Sequence, residues 1–598
     1  MANIMDMVKT RIGTSRNGFD LSKKNIFTAK IGELLPVYCK EVLPGDKFNI
    51  YVEAFARTMP VNTAAYTRIR EYYDFYFVPT SVMWNRFETF ATSMGNNNTQ
   101  ADGITGNTVV GDQHPYMTVR QVLQYIDKIE GQENIFGYSR QYGTRKLLEY
   151  LNYGDYFSVD YSFPSRVNAV LNPFPLLAYQ KIYQDFYRNS QWEEAYAPAC
   201  NINYIKGNGD QNLPISELGV DGEKENMFDL RYANWNKDYF FGLMPNSQFG
   251  DVASIDVDSI DGITTPFVGG KVGVPNISTG NYGVTVENGS LLATSADGQQ
   301  LEVRLDASAT RSLRDALGLS ASSSASDYPL SGVFTVLALR MAEAKQRWKE
   351  VIQSNKQDVK SQMSAQYGVN ISNAYSDRCQ YLGGTASNLD INEVVNTNLT
   401  SGNQANIQGK GVGVTQGGIN FTSDLHGYIM CVYHAVPLLD YSITGISRQN
   451  LKSYLSDYAQ PAFDKLGMVS VPLIELTNTK LTDIPYESNP LLGYAPRYID
   501  YKTDIDEVHG GFKNGGLDAW VAPFDDSYIT TYMDSLGATA NLLPLNYVFF
   551  KINPAFMNPI FVGQITDKEN GLDKDQLLIN AAFDVKAVRN LDVNGLPY

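Results

Sequence analysis

The stretch KFNIYVEAFARTMPVNTAAYTRIREYYDFYFVP, Lys47 to Pro79, limits what this chain can fold into more than any other. Phe48, Ile50, Val52 and Ala54 alternate with Asn49, Tyr51 and Glu53, the period of two that marks a half-buried β-strand. Ten such residues span ~33 Å at ~3.3 Å each, longer than a usual strand. In the second run Ile69, Tyr73, Phe75 and Phe77 share one side, with Glu71 the exception, and Arg70, Tyr72, Asp74 and Tyr76 take the other. The run stops at Pro79, which has no N–H to give a ladder. Between the runs TMPVNTAA is a corner rather than a two-residue hairpin turn, so the second strand is expected to pair elsewhere or cross to a facing sheet.

The rest of the chain agrees with a β-rich protein. Its 39 tyrosines lie among 49 glycines and 25 prolines, so aromatic strands are punctuated by frequent turn residues. At 598 residues the chain is long enough for several domains and a large core. A formal charge of −16 excludes a surface that grips nucleic acid everywhere, so any such contact is local. Cys39, Cys200, Cys379 and Cys431 are far apart and form no CxxC, which points to idle thiols in a reducing compartment. No signal-peptide pattern opens the sequence, and its longest apolar run, Tyr428 to Leu439, is too short to span a bilayer. A soluble, unexported protein without membrane insertion is expected.

Residues 1 to 30 are locally basic, with Lys9, Arg11, Arg16, Lys23, Lys24 and Lys30 against Asp6 and Asp20. They read either as an arm that touches phosphates or as a solvated terminus. Downstream, Thr118 can cap a helix carrying Val119, Val122, Leu123, Ile126 and Ile129. Leu147, Leu148 and Leu151 mark a second helix, and Pro175 opens a third with Leu176, Tyr179, Tyr183 and Phe186 on one face, a stripe expected to pack in the core. From Asp251 to about Ala325 the text is Gly- and Ser-rich. Hairpin signals at Asn288-Gly289 and Asp297-Gly298 nevertheless predict a small β-meander on a surface excursion. Phe334, Leu337, Met341, Ala344, Trp348 and Val351 give a clear helix. Beyond it GGT and GKGVGVTQGG read as loops, GYIMCVYHAVPLL as a strand covered on both faces, and NYVFFKINPAF and AAFDVKAVRNLDV as further strands.

Catalytic and metal constellations fail one at a time. His426 and His434 are ~26 Å apart if eight strand residues separate them, too far to share a metal. In the acidic run Asp256, Asp258, Asp261 an Ile260 stands where a calcium ligand belongs. GKGVGVTQGG is neither GxGxxG nor a phosphate loop, and no GxSxG is present. No enzyme activity, catalytic residue, cofactor or metal is expected.

Seven phrases, in order from about residue 57 to 521, resemble the major capsid proteins of microviruses, in the gokushovirus-like and Bacteroidetes-associated branches. They are RTMPVNTAAYTRIREYYDFYFVPTSVMW, PFPLLAYQKIYQDFYR, NWNKDYFFGLMPNSQFGD, LRMAEAKQRWKE, YLGG with INEVVNT, DLHGYIMCVYHAVP, and LLGYAPRYIDYK with LDAWV. The resemblance implies a single viral jelly roll, an eight-stranded antiparallel β-sandwich with long helical and loop insertions. It further implies pentamers and a sixty-copy T=1 icosahedral shell around circular single-stranded DNA, in a virion assembled in the bacterial cytoplasm. Scaffolding or DNA-packaging proteins and a host surface receptor are the other implied partners.

The expected division is an N-terminal arm and lead-in (1–44), first jelly-roll strands (45–95), helix-rich insertions (96–250), a surface meander placed at a threefold protrusion (251–325), helix and loops (326–420), and the remaining strands with the C-terminal segment (421–598). Lys9, Arg11, Arg16, Lys23 and Lys24 are the candidate nucleic-acid contacts. A phage spike or other host- or carbohydrate-binding β protein is the rival reading, and a secreted hydrolase is disfavoured.

Overall fold

The computed structural model describes residues 15–63, 65–92, 114–157, 169–205, 212–213, 215, 226–251, 282–287, 290–295, 300–303, 336–372, 378–395, 407–478, 491–514, 516–525, 545–563 and 575–593. The chain forms two compact units, Met1–Ser247 with Ile352–Tyr598, and Gln248–Val351.

The first unit is built on eight long strands: β1 (Lys23–Ala29), β2 (Leu35–Val42), β3 (Lys47–Thr58), β4 (Ile69–Pro79), β5 (Gln380–Val395), β6 (Ile407–Thr422), β7 (Gly427–Pro437) and β8 (Leu577–Arg589). The two opening runs are β3 and β4, and they do not pair with each other. β3 lies between β8 and β6, and β4 between β5 and β7. The chain therefore changes layer at the Pro60 corner, as its composition predicts. One layer has the order β1-β8-β3-β6 and the other β5-β4-β7-β2, all antiparallel, which is the jelly roll. Pairing of Asp390–Val395 with Ile407–Val412 joins the layers into one curled sheet, and strand Asn17–Asp20 extends it beside β8.

The core lies between the layers. Alternate residues of β3 and β8 are buried, and aromatic rings meet across the gap: Tyr38 with Phe583 at 5.2 Å, Phe27 with Tyr433 at 5.3 Å, and Phe77 with Phe421 at 4.9 Å. All of β7 is buried, as its unbroken apolar sequence predicts. Its outer face is covered by the segment that begins with helix Phe174–Ile182 and continues as a π-turn to Tyr187. There the Tyr187 hydroxyl reaches Asp74 at 3.2 Å and Tyr76 at 3.0 Å, and His434 stacks on Tyr72 at 4.8 Å. The helices at Val119–Lys128 and Arg140–Tyr150 also form as expected, the first closed by a Thr118–Gln121 capping box.

Three parts of the sequence reading are corrected. GGT and GKGVGVTQGG are not loops but lie within β5 and β6. Their glycines answer crowding where the sheet curls: a Cβ on Gly411 would stand 2.4 Å from Leu389, and one on Gly417 2.6 Å from Thr385. Gly383, with φ +129°, takes the bulge where β5 slips register against β4. NYVFFKINPAF forms two 3-10 turns, Tyr547–Phe550 and Pro554–Met557, because asparagine side chains at 546 and 553 cap them. β1 and β2 occupy ground read only as arm and lead-in, since β2 lacks alternation.

In the second unit, strands Tyr282–Glu287, Ser290–Ser295 and Gln300–Val303 pair as an antiparallel meander around the two predicted turns. The helix predicted from three- and four-residue spacing runs Val336–Ser354, with Met341 and Trp348 on its exposed surface.

Glu71, the odd residue in the β4 pattern, faces the core at 1% exposure. One carboxyl oxygen accepts a 2.7 Å bond from the Tyr433 hydroxyl and the other has no partner. Burial pushes its pKa up to about 7, against the lowering effect of Tyr433. In the unfolded chain the group titrates near 4.5, so stability is greatest below that pH, falls as pH rises through about 7, and then levels. Glu71→Gln is expected to remove roughly 2 to 4 kcal/mol of this loss. Denaturant titrations across this range should show the variant gaining on the wild type as pH rises. Parallel profiles would contradict the assignment.

Candidate functional site

The two outer faces of the sandwich differ. The outer face of β7 and the adjoining part of β4 lie under the helical insertion, whereas the outward positions of β3 and β8 are exposed along both strands. Strand alternation decides what the open face carries. With Phe48, Ile50, Val52, Ala54 and Ala56 turned inward, Lys47, Asn49, Tyr51, Glu53, Phe55 and Arg57 must point out. Register then sets the rows. Thr28, Leu578, Arg57 and Val412 form one row, and Ile26, Asn580, Phe55 and Val414 the next. Lys24, Ala582, Glu53 and Gln416 follow, then Asp584, Tyr51 and Gly418.

This face carries exposed aliphatic side chains, Ile26, Val414 and Leu578, beside basic and aromatic ones. Lys24, Lys47, Arg57 and Lys410 are exposed and make no ion pair among the described residues. Lys586 is neutralised by Asp20 at 2.7 Å and Asp584 at 3.2 Å. Glu53 accepts a 3.3 Å bond from Gln416. The Arg57 guanidinium lies 4.9 Å from the Phe55 ring centre. Tyr51 is 41% exposed and its ring passes over Gly418, where a Cβ would approach it to 3.2 Å. Flat rings beside unpaired cations suit a flexible polyanion whose bases can stack.

The five basic residues singled out from the sequence are not gathered in one place. Lys9 and Arg11 lie outside the described residues. Arg16 gives its guanidinium N–H to the Gly45 carbonyl. Lys23 and Lys24 belong to β1 and point to opposite faces. The Lys23 ammonium sits 5.2 Å over the Tyr38 ring, where desolvation lowers its pKa, and Lys24 alone lies on the open face. Lys47 and Arg57 were legible as outward positions of the first strand. Lys410 was hidden by the loop reading of its glycine-rich neighbours.

The sandwich is tied to its insertion by a buried charge cluster. Lys146, fully buried on helix Arg140–Tyr150, lies 2.6 Å from Glu33 and 3.0 Å from Asp575, with Lys30 at 3.9 Å from Asp575. These residues come from the β1–β2 loop, the insertion and the lead-in to β8, so the cluster fixes three remote segments in register.

His426 and His434 serve packing. His434 is buried against Tyr72 and Tyr187, which lowers its pKa to about 3, and His426 meets the edge of Phe87. Among the described residues no group of three His, Cys, Asp or Glu is placed to hold a metal ion. No helix there is long and apolar enough to cross a membrane. The acidic run at Asp256 lies outside the described residues.

The described residues form a jelly roll with β7 covered by the chain's own insertion and the opposite outer face open. The profile of the family described as Capsid protein (F protein) matches residues 7–135 and 147–595, and the chain belongs to that family. It is similar to Capsid protein VP1 of Chlamydia phage 1, 22% identical over 97% of this chain and 95% of that one. It is also similar to Capsid protein VP1 of Bdellovibrio phage phiMH2K, 23% identical over 85% of each, and to that of Spiroplasma virus 4, 22% identical over 64% of this chain and 62% of the relative. The microvirus resemblance is thereby borne out, and the chain is a capsid component rather than an enzyme.

Proposed function

We propose that this chain is the major shell subunit of a small phage, assembling through pentamers into a T=1 shell of sixty copies around circular single-stranded DNA. The observation that carries the genome contact is the open face, where four exposed cations with no ion pair among the described residues and two outward rings occur in a protein of charge −16. Lys24 links this face to the basic N-terminal residues. Exposed apolar side chains such as Tyr454, Leu455 and Leu466 are suited to contacts between subunits. The virion is the site of action, reached after assembly in the bacterial cytoplasm with scaffolding or packaging proteins.

Replacing Lys24, Lys47, Arg57 and Lys410 together with Gln tests this reading. Binding of a single-stranded oligonucleotide should weaken, and the slope of log K against log salt should flatten by roughly 3 for four lost phosphate contacts. An unchanged slope in a protein that still assembles would remove this face from genome contact.

We further propose that residues 251–325 serve contact with a host surface receptor. The segment has few large apolar residues and is acidic, which favours a basic or polar partner over the genome. Replacing it with a short Gly/Ser linker should leave particles that assemble and fail to adsorb. Loss of shells would instead assign it to clasping between copies around a threefold axis.

A further inference from the structure

Helix Arg140–Tyr150 carries into the core a lysine whose amine meets two carboxyl groups. Lys146 Nζ lies 2.6 Å from Glu33 Oε2, and 3.2 and 3.0 Å from the two oxygens of Asp575. The three side chains are 0%, 1% and 1% exposed. Aromatic rings stand beside them: Tyr150 is 5.9 Å from Lys146 Nζ, and Tyr142 is 4.3 Å from the Lys30 ammonium. The Thr28 hydroxyl donates to Asp575 Oδ2, Lys30 Nζ stands 3.9 Å from Oδ1, and the Lys30 backbone N–H donates to Glu33 at 3.0 Å. Neither shell contact nor genome contact uses charged groups so far from water.

Two features go beyond an ion pair. The amine stands at nearly equal distance from both oxygens of Asp575, so it faces the carboxyl group as a whole, in the contact range from which held neighbours react. Glu33 holds the same nitrogen by the shorter bond, placed to take its proton and give it back.

We propose that Lys146 Nζ and Asp575 Cγ condense to an intramolecular amide, an isopeptide bond, with Glu33 carrying the proton. This chemistry is independent of the shell, genome and receptor contacts described above. Burial works to lower the Lys146 pKa, but Glu33 and Asp575 together raise it, so the resting group is an ammonium. The step therefore begins with transfer of one ammonium proton to Glu33. The freed amine electron pair attacks Asp575 Cγ and the C–N bond forms, while Thr28 and Lys30 stabilise the negative charge on the carboxyl oxygens. One C–O bond then breaks, and its oxygen leaves as water with one proton from Glu33 and one from the nitrogen. No oxidant or other reactant is needed. An ammonium and a carboxylate become a neutral amide, which removes the cost of holding both charges away from water and so favours closure. The bond joins positions 429 apart and ties the insertion covalently to the lead-in of β8.

Mass spectrometry of the purified full-length protein, denatured and reduced, tests the assignment. The wild type should weigh less than its sequence gives by the mass of one water. A tryptic map should show one branched peptide joining the residues around Lys146 to those around Asp575, with no cleavage after Lys146. Lys146→Arg should have its full sequence mass. Glu33→Gln keeps the shape of the side chain but cannot accept the proton, so freshly made protein should close roughly a hundredfold more slowly. A wild type of full sequence mass, a missing water located at other residues, or the same loss in Lys146→Arg would each overturn the proposal. A folded Glu33→Gln that closes as fast as the wild type would overturn the role given to Glu33. The wild-type readings stand whether or not either variant folds.

Discussion

The register of β3 between β8 and β6 is the constraint on which the structure depends. Residues 47 to 58 meet one strand more than 350 positions downstream and another more than 500 positions downstream, so the layer closes only when both ends of the chain are in place. A slip of one residue would turn Phe48, Ile50 and Val52 to solvent and bring Tyr51, Glu53 and Arg57 into the core. The pattern of that strand therefore specifies both the interior packing and the chemistry of the outer face. Contacts of such sequence separation are slow to form, and the buried Lys146–Glu33–Asp575 cluster adds a polar check on the same remote segments.

The two faces of the sandwich then acquire separate duties. The helical insertion brings Phe186 and Tyr187 over Tyr76, and Tyr187 over His434, so the outer face of β7 is covered and that strand can be apolar on both sides. Nothing in the first unit's own chain roofs the other layer among the described residues, and its outward positions mix basic, polar and aromatic side chains with aliphatic ones such as Ile26, Val414 and Leu578. A shell protein needs this inequality, because a wall has an inside and an outside that meet different partners. The charge of the whole chain conceals it: an acidic molecule can still present one cationic face when strand alternation sorts its side chains.

Much of this was legible in the sequence. Period-two alternation gave β3, β4 and β8, the unbroken apolar run gave β7, and the Pro60 corner announced the change of layer. Crowding by distant residues was not legible. The glycines of β5 and β6 looked like loop formers because the reason for them, Leu389 and Thr385 passing within van der Waals distance, exists only in the folded sheet. The same misreading hid Lys410. The open face could be read only in part, since Lys47 and Arg57 follow from alternation but their alignment with Thr422 and Val412 requires the register.

The most direct test of the central claim is an icosahedral electron cryomicroscopy reconstruction of intact particles at side-chain resolution. The β1-β8-β3-β6 face should line the lumen, with nucleic-acid density against Tyr51, Phe55 and Arg57 and the insertion-covered layer turned outward. Finding that face on the outer surface of the particle, or sealed against a neighbouring subunit with the genome elsewhere, would contradict it.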